Sequence, residues 1–357
     1  MISRTKDQDL LDLQWYTALS DYITAIVWSP DGKWFAVSSA AGEVVQYAEN
    51  TKTVTVLQAA QGQSIDALAV SGDGVFLAAG GQAGAVLVWR LDGHVPTQIV
   101  ALDPSHIWID RLQWNPHHPE LAYGFGRHVR VWSATQQSEI AELNFRSSSV
   151  LDLAWHPKGD RLSVSGNQNI KTWWRHAWDE APVVQQLGGA SEVIAWSPDG
   201  QYLASGNNDR SVMVWQDANP FPWQMRGFPG KVRQLAWSDP RRSISTPLLA
   251  SICGEGVVVW TKDRDPSIGW NAQVLDFHQR SVRAIAFQPQ SLQLASVADD
   301  GWLCLWRKAS RLTQLFEGAP TGFSCLAWQP SGKTLAAGGG QGEVLLWTQT
   351  KTGQGFG

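Results

Sequence analysis

The sequence predicts an all-β protein, an eight-bladed β-propeller with four antiparallel strands per blade, closed by a strand from its own N-terminus. Three observations predict it. A sequence frame recurs eight times at intervals of 41 to 50 residues. Of the 21 tryptophans, 13 fall at two fixed positions of that frame. A short alternating segment near residues 10–18 also reads as a strand for which the last repeat has no counterpart.

The frame is clearest around Trp196, in ASEVIAWSPDGQYLASGNNDRSVMVW. Its first marker, the residue before the SPDG-like turn, is Trp28, Val70, Trp114, Trp155, Trp196, Trp237, Phe287 and Trp328 in successive copies. The second is Tyr47, Trp89, Trp132, Trp173, Trp215, Trp260, Trp306 and Trp347. VIAW at 193–196 reads as a first strand ending at SPDG, where Pro at the second and Gly at the fourth position suit a type I turn. QYLAS is the second strand and SVMVW, alternating on one face, the third. Fourth strands are expected at segments such as Val54–Leu57 and Val183–Leu187. A four-stranded sheet of this length cannot bury both its faces alone, and radial stacking buries them. The large flat aromatics then fill the widening gaps between sheets. After Trp347 the chain reads TQTKTGQGFG without apolar alternation, whereas Leu11, Leu13 and Trp15 alternate with polar neighbours. That N-terminal segment is expected to complete the last sheet and remove an open edge. The propeller is expected to span 10–347, with 1–9 an N-terminal tail and 348–357 a flexible C-terminal tail.

With this period and these markers the chain resembles the WD40 repeat family, in the style of bacterial stand-alone members. It departs from the family pattern in that no second marker is followed by Asp. The family's hydrogen-bonded tetrad matches whole only in copy seven, at His278, Ser296, Asp300 and Trp306; copy five keeps Ser205, Asp209 and Trp215 without the histidine. The resemblance implies that these are structural staples.

Composition narrows the function. A net charge of −4 lacks the basic footprint of a nucleic-acid-binding protein. No apolar run reaches the roughly 18 residues of a membrane span, and no signal peptide is visible. Three cysteines without a CxxC pair fit a reducing compartment, so the expected location is cytoplasmic.

Motifs for catalysis do not appear. There is no GxxxxGK[ST], HExxH or GxSxG. Gly80–Gly81 and Gly338–Gly340 are expected to be turn glycines that need positive φ. His117, His118 and Glu120 cluster in NPHHPE, where a solvated turn and a metal site are both open readings. The eight-bladed quinoprotein dehydrogenases are the one enzyme class with a similar outline, but their docking-tryptophan motif and export signal are missing. The expectation is therefore no enzyme, no cofactor and no assigned metal. A small-ligand- or metal-associated accessory role is the alternative.

The leading expectation is a scaffold that binds another protein or a peptide segment, as a monomer or a subunit of a hetero-complex. Two surfaces are candidates. Resemblance to the family implies a top rim made by the residue after the first apolar position of strand one: Thr24, Asp66, Asp110, Leu151, Glu192, Arg233, Arg283 and Ser324. Its carboxylates and arginines either orient a mixed-charge partner or pair with one another along the rim. The second is an aromatic loop patch of Trp178, Phe221 and Trp270, in copies four to six, which either forms an exposed cluster or folds back onto the sheets. The insertion SDPRRSISTP at 238–247 lies on the same side.

Overall fold

A computed structural model describes residues 11–49, 53–93, 95–102, 107–146, 148–217, 219–239, 246–265 and 268–349. The 1–9 tail, residues 350–357 of the C-terminal tail and positions 240–245 of the insertion lie outside them. Among the described residues every regular element is a strand, so no helix is long and apolar enough to cross a membrane.

The strands form antiparallel sheets in chain order. Ile23–Trp28, Trp34–Ser39, Val44–Ala48 and Val54–Gln58 make the first, and the same four-strand meander recurs in copies two, three, six and seven. The last sheet holds Phe323–Trp328, Thr334–Gly339 and Glu343–Gln349, and its outer strand is Leu11–Ala18 from the other end of the chain. Copies four and five share one seven-stranded sheet. The strands expected at Val183–Leu187 and 193–196 are not separate. A single strand, Val183–Trp196, pairs with Asn167–Trp174 through its first half and with Tyr202–Asn207 through its second.

Each SPDG turn is fixed by its own residues. Gly32 and Gly200 take φ of 69° and 70°, closed to most side chains, and donate to Ser29 and Ser197 carbonyls. Ser29 and Ser197 hydroxyls bond the turn aspartates, Asp31 and Asp199, and accept the amides of Trp34 and Tyr202 that open the second strand. Gly80, Gly81, Gly338 and Gly339 correct the sequence expectation. They sit inside strands without positive φ, and the turn torsion falls to Gly84 and Gly342. Glycine is required at Gly80 and Gly338 because the neighbouring sheet approaches too closely: a Cβ on Gly80 would lie 2.6 Å from Ile109, and one on Gly338 2.4 Å from Ile23.

The core lies between successive sheets. Ile65, Leu77 and Trp89 of copy two meet Ala36 and Val44 of copy one, and Ile23, Phe35 and Tyr47 of copy one meet Ala336, Val344 and Leu346 of the last sheet. The strand-one tryptophans also tie sheet to sheet by hydrogen bonds. The indole N–H of Trp28, Trp114, Trp155, Trp237 and Trp328 donates to the carbonyl of Ala327, Ala69, Gln113, Ala195 and Ala286 respectively, at 3.1–3.2 Å. Each acceptor is the residue just before the first marker of the adjoining copy. A second set of ties runs along the SPDG side. The side chains of Asn115, His156, Gln288 and Gln329 reach the carbonyls of Gly159, Gly200, Gly332 and Gly32 in the following turn.

Leu11–Ala18 is held from both sides. A bulge between Leu13 and Trp15 turns the strand, so that Leu11 joins the copy-seven side of the core and Trp15 packs on Phe35 and Tyr47 of copy one. Leu13, which alternation placed inward, is 52% exposed. Gln314 of copy seven brackets the Leu11 backbone, accepting from its N–H and donating to its carbonyl.

Candidate functional site

The first strands of consecutive copies contact one another and form the inner wall. At one end of this wall stand the residues proposed as the top rim. Five of them, Thr24, Asp66, Glu192, Arg283 and Ser324, sit where the pairing of strands one and two shifts by a residue. A bulge residue has no ladder partner and its side chain is re-aimed. That is the local reason this position is available to carry a polar group at the head of a buried strand.

Most rim groups are engaged by neighbours. Asp66 accepts from Ser64 Oγ at 2.6 Å and from the Trp108 indole at 2.7 Å. Glu192 pairs with Lys231 at 3.2 Å and Arg283 with Asp299 at 2.7 Å, and Asp110 lies 3.4 Å from Arg111. Asp299 holds the Arg283 guanidinium above its usual pKa, mainly through that hydrogen bond. Thr24 bonds Ser38 and the Ile65 carbonyl, and Ser324 contacts Cys325 Sγ. Leu151 is half-buried. Arg233 differs: it is exposed, and its guanidinium has no ion-pair or hydrogen-bond partner among the described residues.

Arg233 faces a groove of about 710 Å³ between copies six and seven, together with Lys231, Arg283, Glu255 and the loop Gly227–Gly230. Gly227 and Gly254 border it with open space where a Cβ would stand, both at positive φ. The groove thus presents three cations, two of them tethered to carboxylates, beside one lining carboxylate.

A polar cluster on the inner wall was not anticipated. Arg111, Gln113 and Asp152 line a hollow of about 350 Å³ across copies three to five. Asp152 Oδ2 accepts the Ile194 amide at 2.9 Å, and its other oxygen lies 3.3 Å from Arg111 Nε. Burial pushes the Asp152 carboxyl up to about 6, against the pull of Arg111. Gln113 and Gln234 brace the next strand in the same way, through the amides of Trp155 and Ile285. The signal was present in the sequence as polar residues interrupting otherwise apolar first strands, RLQW, LDLAW and RQLAW.

The aromatic loop patch is corrected. Trp270 is 8% exposed and packs among Tyr202, Trp223 and Trp237 in the gap between copies five and six. Trp178 is half-buried edge-on against Trp155. Only Phe221 projects, at 79% exposure, so the three do not form one surface. Burying an indole between sheets removes far more apolar area from water than leaving it on a turn, and two of the three rings take that option.

His117, His118 and Glu120 do not converge either. Both Glu120 oxygens are taken by Arg175 at 2.6 and 2.7 Å, His117 Nε2 faces the Pro157 carbonyl, and His118 is exposed. No group of three metal-ligating side chains is assembled among the described residues. In copy seven, His278 bonds Asp300 through Nδ1 at 3.0 Å and Ser296 through Nε2 at 2.9 Å, and Trp306 donates to the same Ser296 oxygen at 2.8 Å. His278, Ser296 and Trp306 are buried, and Asp300 is half-buried next to Asp299, the partner of Arg283.

A family model described as WD domain, G-beta repeat matches residues 14–47, 138–173, 189–216, 269–307 and 310–348. The matches run out of phase with the sheets. Residues 138–173, for example, begin in the outer strand of copy three and end in the third strand of copy four. The match at 14–47 begins inside Leu11–Ala18, giving that strand the place of an outer strand in the repeat.

Proposed function

This chain is a WD40-repeat protein, and we propose that it works as a non-catalytic, cytoplasmic interaction platform that binds a protein or peptide segment at its rim. The platform is one propeller spanning residues 10–347, with eight blades closed by the N-terminal strand. What supports eight blades is the division of the seven-stranded sheet at Val183–Trp196, whose halves pair with different partners. What supports closure is the pairing of Leu11–Ala18 with Glu343–Gln349 and the Trp28 bond to Ala327 across the chain ends. A ring tied this way is a rigid frame, and rigid frames bind without a large ordering cost.

The observation that carries the site is Arg233. A guanidinium at the mouth of a walled groove, with its neighbouring cations already neutralised, is the rim group left to pair with a partner's acidic group. The experiment compares affinity capture from the native host using wild type, Arg233→Glu and a matched surface control, Arg226→Glu. The reading predicts partners retained by wild type and control and lost with Arg233→Glu, at unchanged stability. Identical capture by all three would remove the rim groove as the docking site.

A further inference from the structure

The gap between copies four and five is built differently from those between copies two and three and between copies five and six. In copies two and five the residue that opens the second strand is aromatic and stacks on the strand-one tryptophan of the next copy: Phe76 on Trp114, and Tyr202 on Trp237. In copy four the same register position is Arg161, opposite Trp174. Its guanidinium lies between two indoles, 4.8 Å from Trp174 and 5.0 Å from Trp196. The indole of Trp196 does not reach the preceding first strand and bonds Ser163 at 3.1 Å. The two copies therefore part on their outer side around a cleft of about 800 Å³.

The walls of this cleft are Trp174, Trp196, Trp215, Met213, Val183 and Pro222. Two buried polar atoms within it lack hydrogen-bond partners among the described residues: the Gln185 amide oxygen, an acceptor, and Arg161 Nε, a donor. Arg161 is 8% exposed; its terminal nitrogen holds Asp217 at 2.8 Å, while Nε lies 3.9 Å from Asp160 Oδ1, beyond hydrogen-bond reach. An unsatisfied donor and acceptor in an aromatic cleft call for a ligand that offers the complementary pair beside an apolar body. A peptide group flanking an aromatic side chain offers both. The cleft also borders the outer edge of Val183–Gln186, which pairs only on its other side, with Thr172–Asn169, and exposes Val183 and Val184. An unpaired strand edge can accept an extended main chain.

We propose that this inter-sheet cleft binds an extended peptide segment of a partner protein through one aromatic side chain, whose peptide N–H donates to Gln185 and whose peptide carbonyl accepts from Arg161. The site is separate from the rim groove and does not depend on Arg233.

The test uses ligand-observed saturation-transfer NMR on the full chain with two probes, N-acetyl-L-tryptophanamide and 3-methylindole. They share the ring, and only the first carries peptide groups. Wild type should bind the amide in the millimolar range and more tightly than 3-methylindole. Val183→Arg, at an exposed position on the mouth, should abolish both signals. Gln185→Met should weaken the amide by about five-fold, the loss of one net hydrogen bond, and leave 3-methylindole unchanged. Circular dichroism and urea unfolding check that both variants fold. No binding of either probe, binding that survives Val183→Arg, or equal affinity of the two probes would overturn the assignment.

Discussion

Replacing His278 with Ala removes the centre of the one complete tetrad, and the cost can be worked from its contacts. Ser296 would still accept from Trp306, and Asp300 would still accept the amides of Gln279 and Trp302. No partner is therefore left wholly unsatisfied. What is lost is the pair of bonds to Ser296 and Asp300, plus the imidazole's edge-on contact with Phe277. Two net hydrogen bonds and a small cavity amount to about 2–3 kcal/mol. The effect should also depend on pH. Burial lowers the His278 pKa below the ordinary histidine value, outweighing the Asp300 charge that would raise it. The neutral ring is thus the form the fold prefers. Its contribution is complete above the unfolded value of about 6.5 and is lost as pH falls through that value toward the folded one. Urea unfolding at a series of pH values should show the largest gap between wild type and His278→Ala above pH 7, narrowing on acidification. Wild type will keep some acid sensitivity in common with the variant, because burial also lowers His156. A gap that widens as pH falls would refute the reasoning, since it would make the imidazolium–Asp300 ion pair the stabilising form.

Leu11 and Leu13 share a strand but not an environment, 1% against 52% exposed. Leu11→Ala should cost about 2–4 kcal/mol in urea unfolding, while Leu13→Ala stays within about 0.5 kcal/mol; equal effects would mean that the strand is not anchored through Leu11. Arg175→Ala leaves the buried Glu120 carboxylate unpaired. Because Arg175 itself is partly exposed, the expected loss is about 2 kcal/mol, below that of a fully buried pair. In the same assay, dialysis against EDTA should leave the wild-type midpoint unchanged, and a fall would reopen the metal reading of NPHHPE.

The repeat frame was legible because its turns and markers are local. A Ser-Pro-Asp-Gly run specifies its own hydrogen bonds, and a tryptophan every 41 or so residues announces the gap that it fills. The members of the tetrad could be named for a similar reason, since their spacing within one copy matches the family's. What was hidden depended on neighbours remote in the chain. Gly80 and Gly338 look like turn glycines until the next sheet is seen to crowd them. The strands expected at Val183–Leu187 and 193–196 are one, because extended pairing carries Val183–Trp196 through Gly188 and Gly189. Trp178 and Trp270 have loop-like sequence surroundings, and whether such a ring folds inward is decided by the space left between two sheets. The rim is the mixed case. Its positions are what the family resemblance implies, but pairing along it, such as Arg283 with Asp299 and Lys231 with Glu192, singles out Arg233 in a way no resemblance foretells.

The claim on which the platform rests is that the ring is sealed by its own N-terminal strand. Asp12 and Thr348 face each other in the register of Leu11–Ala18 with Glu343–Gln349. Placing cysteines at both positions puts two thiols at opposite ends of the chain within strand-pair distance, while Cys253, Cys304 and Cys325 remain as they are. If the seal is real, Asp12→Cys/Thr348→Cys should form an intramolecular disulfide in the folded monomer under mild oxidation. It should then migrate faster on a non-reducing gel and unfold at higher urea than its reduced form. Thiols at 12 and 348 that stay free in the folded, oxidised protein would contradict the seal.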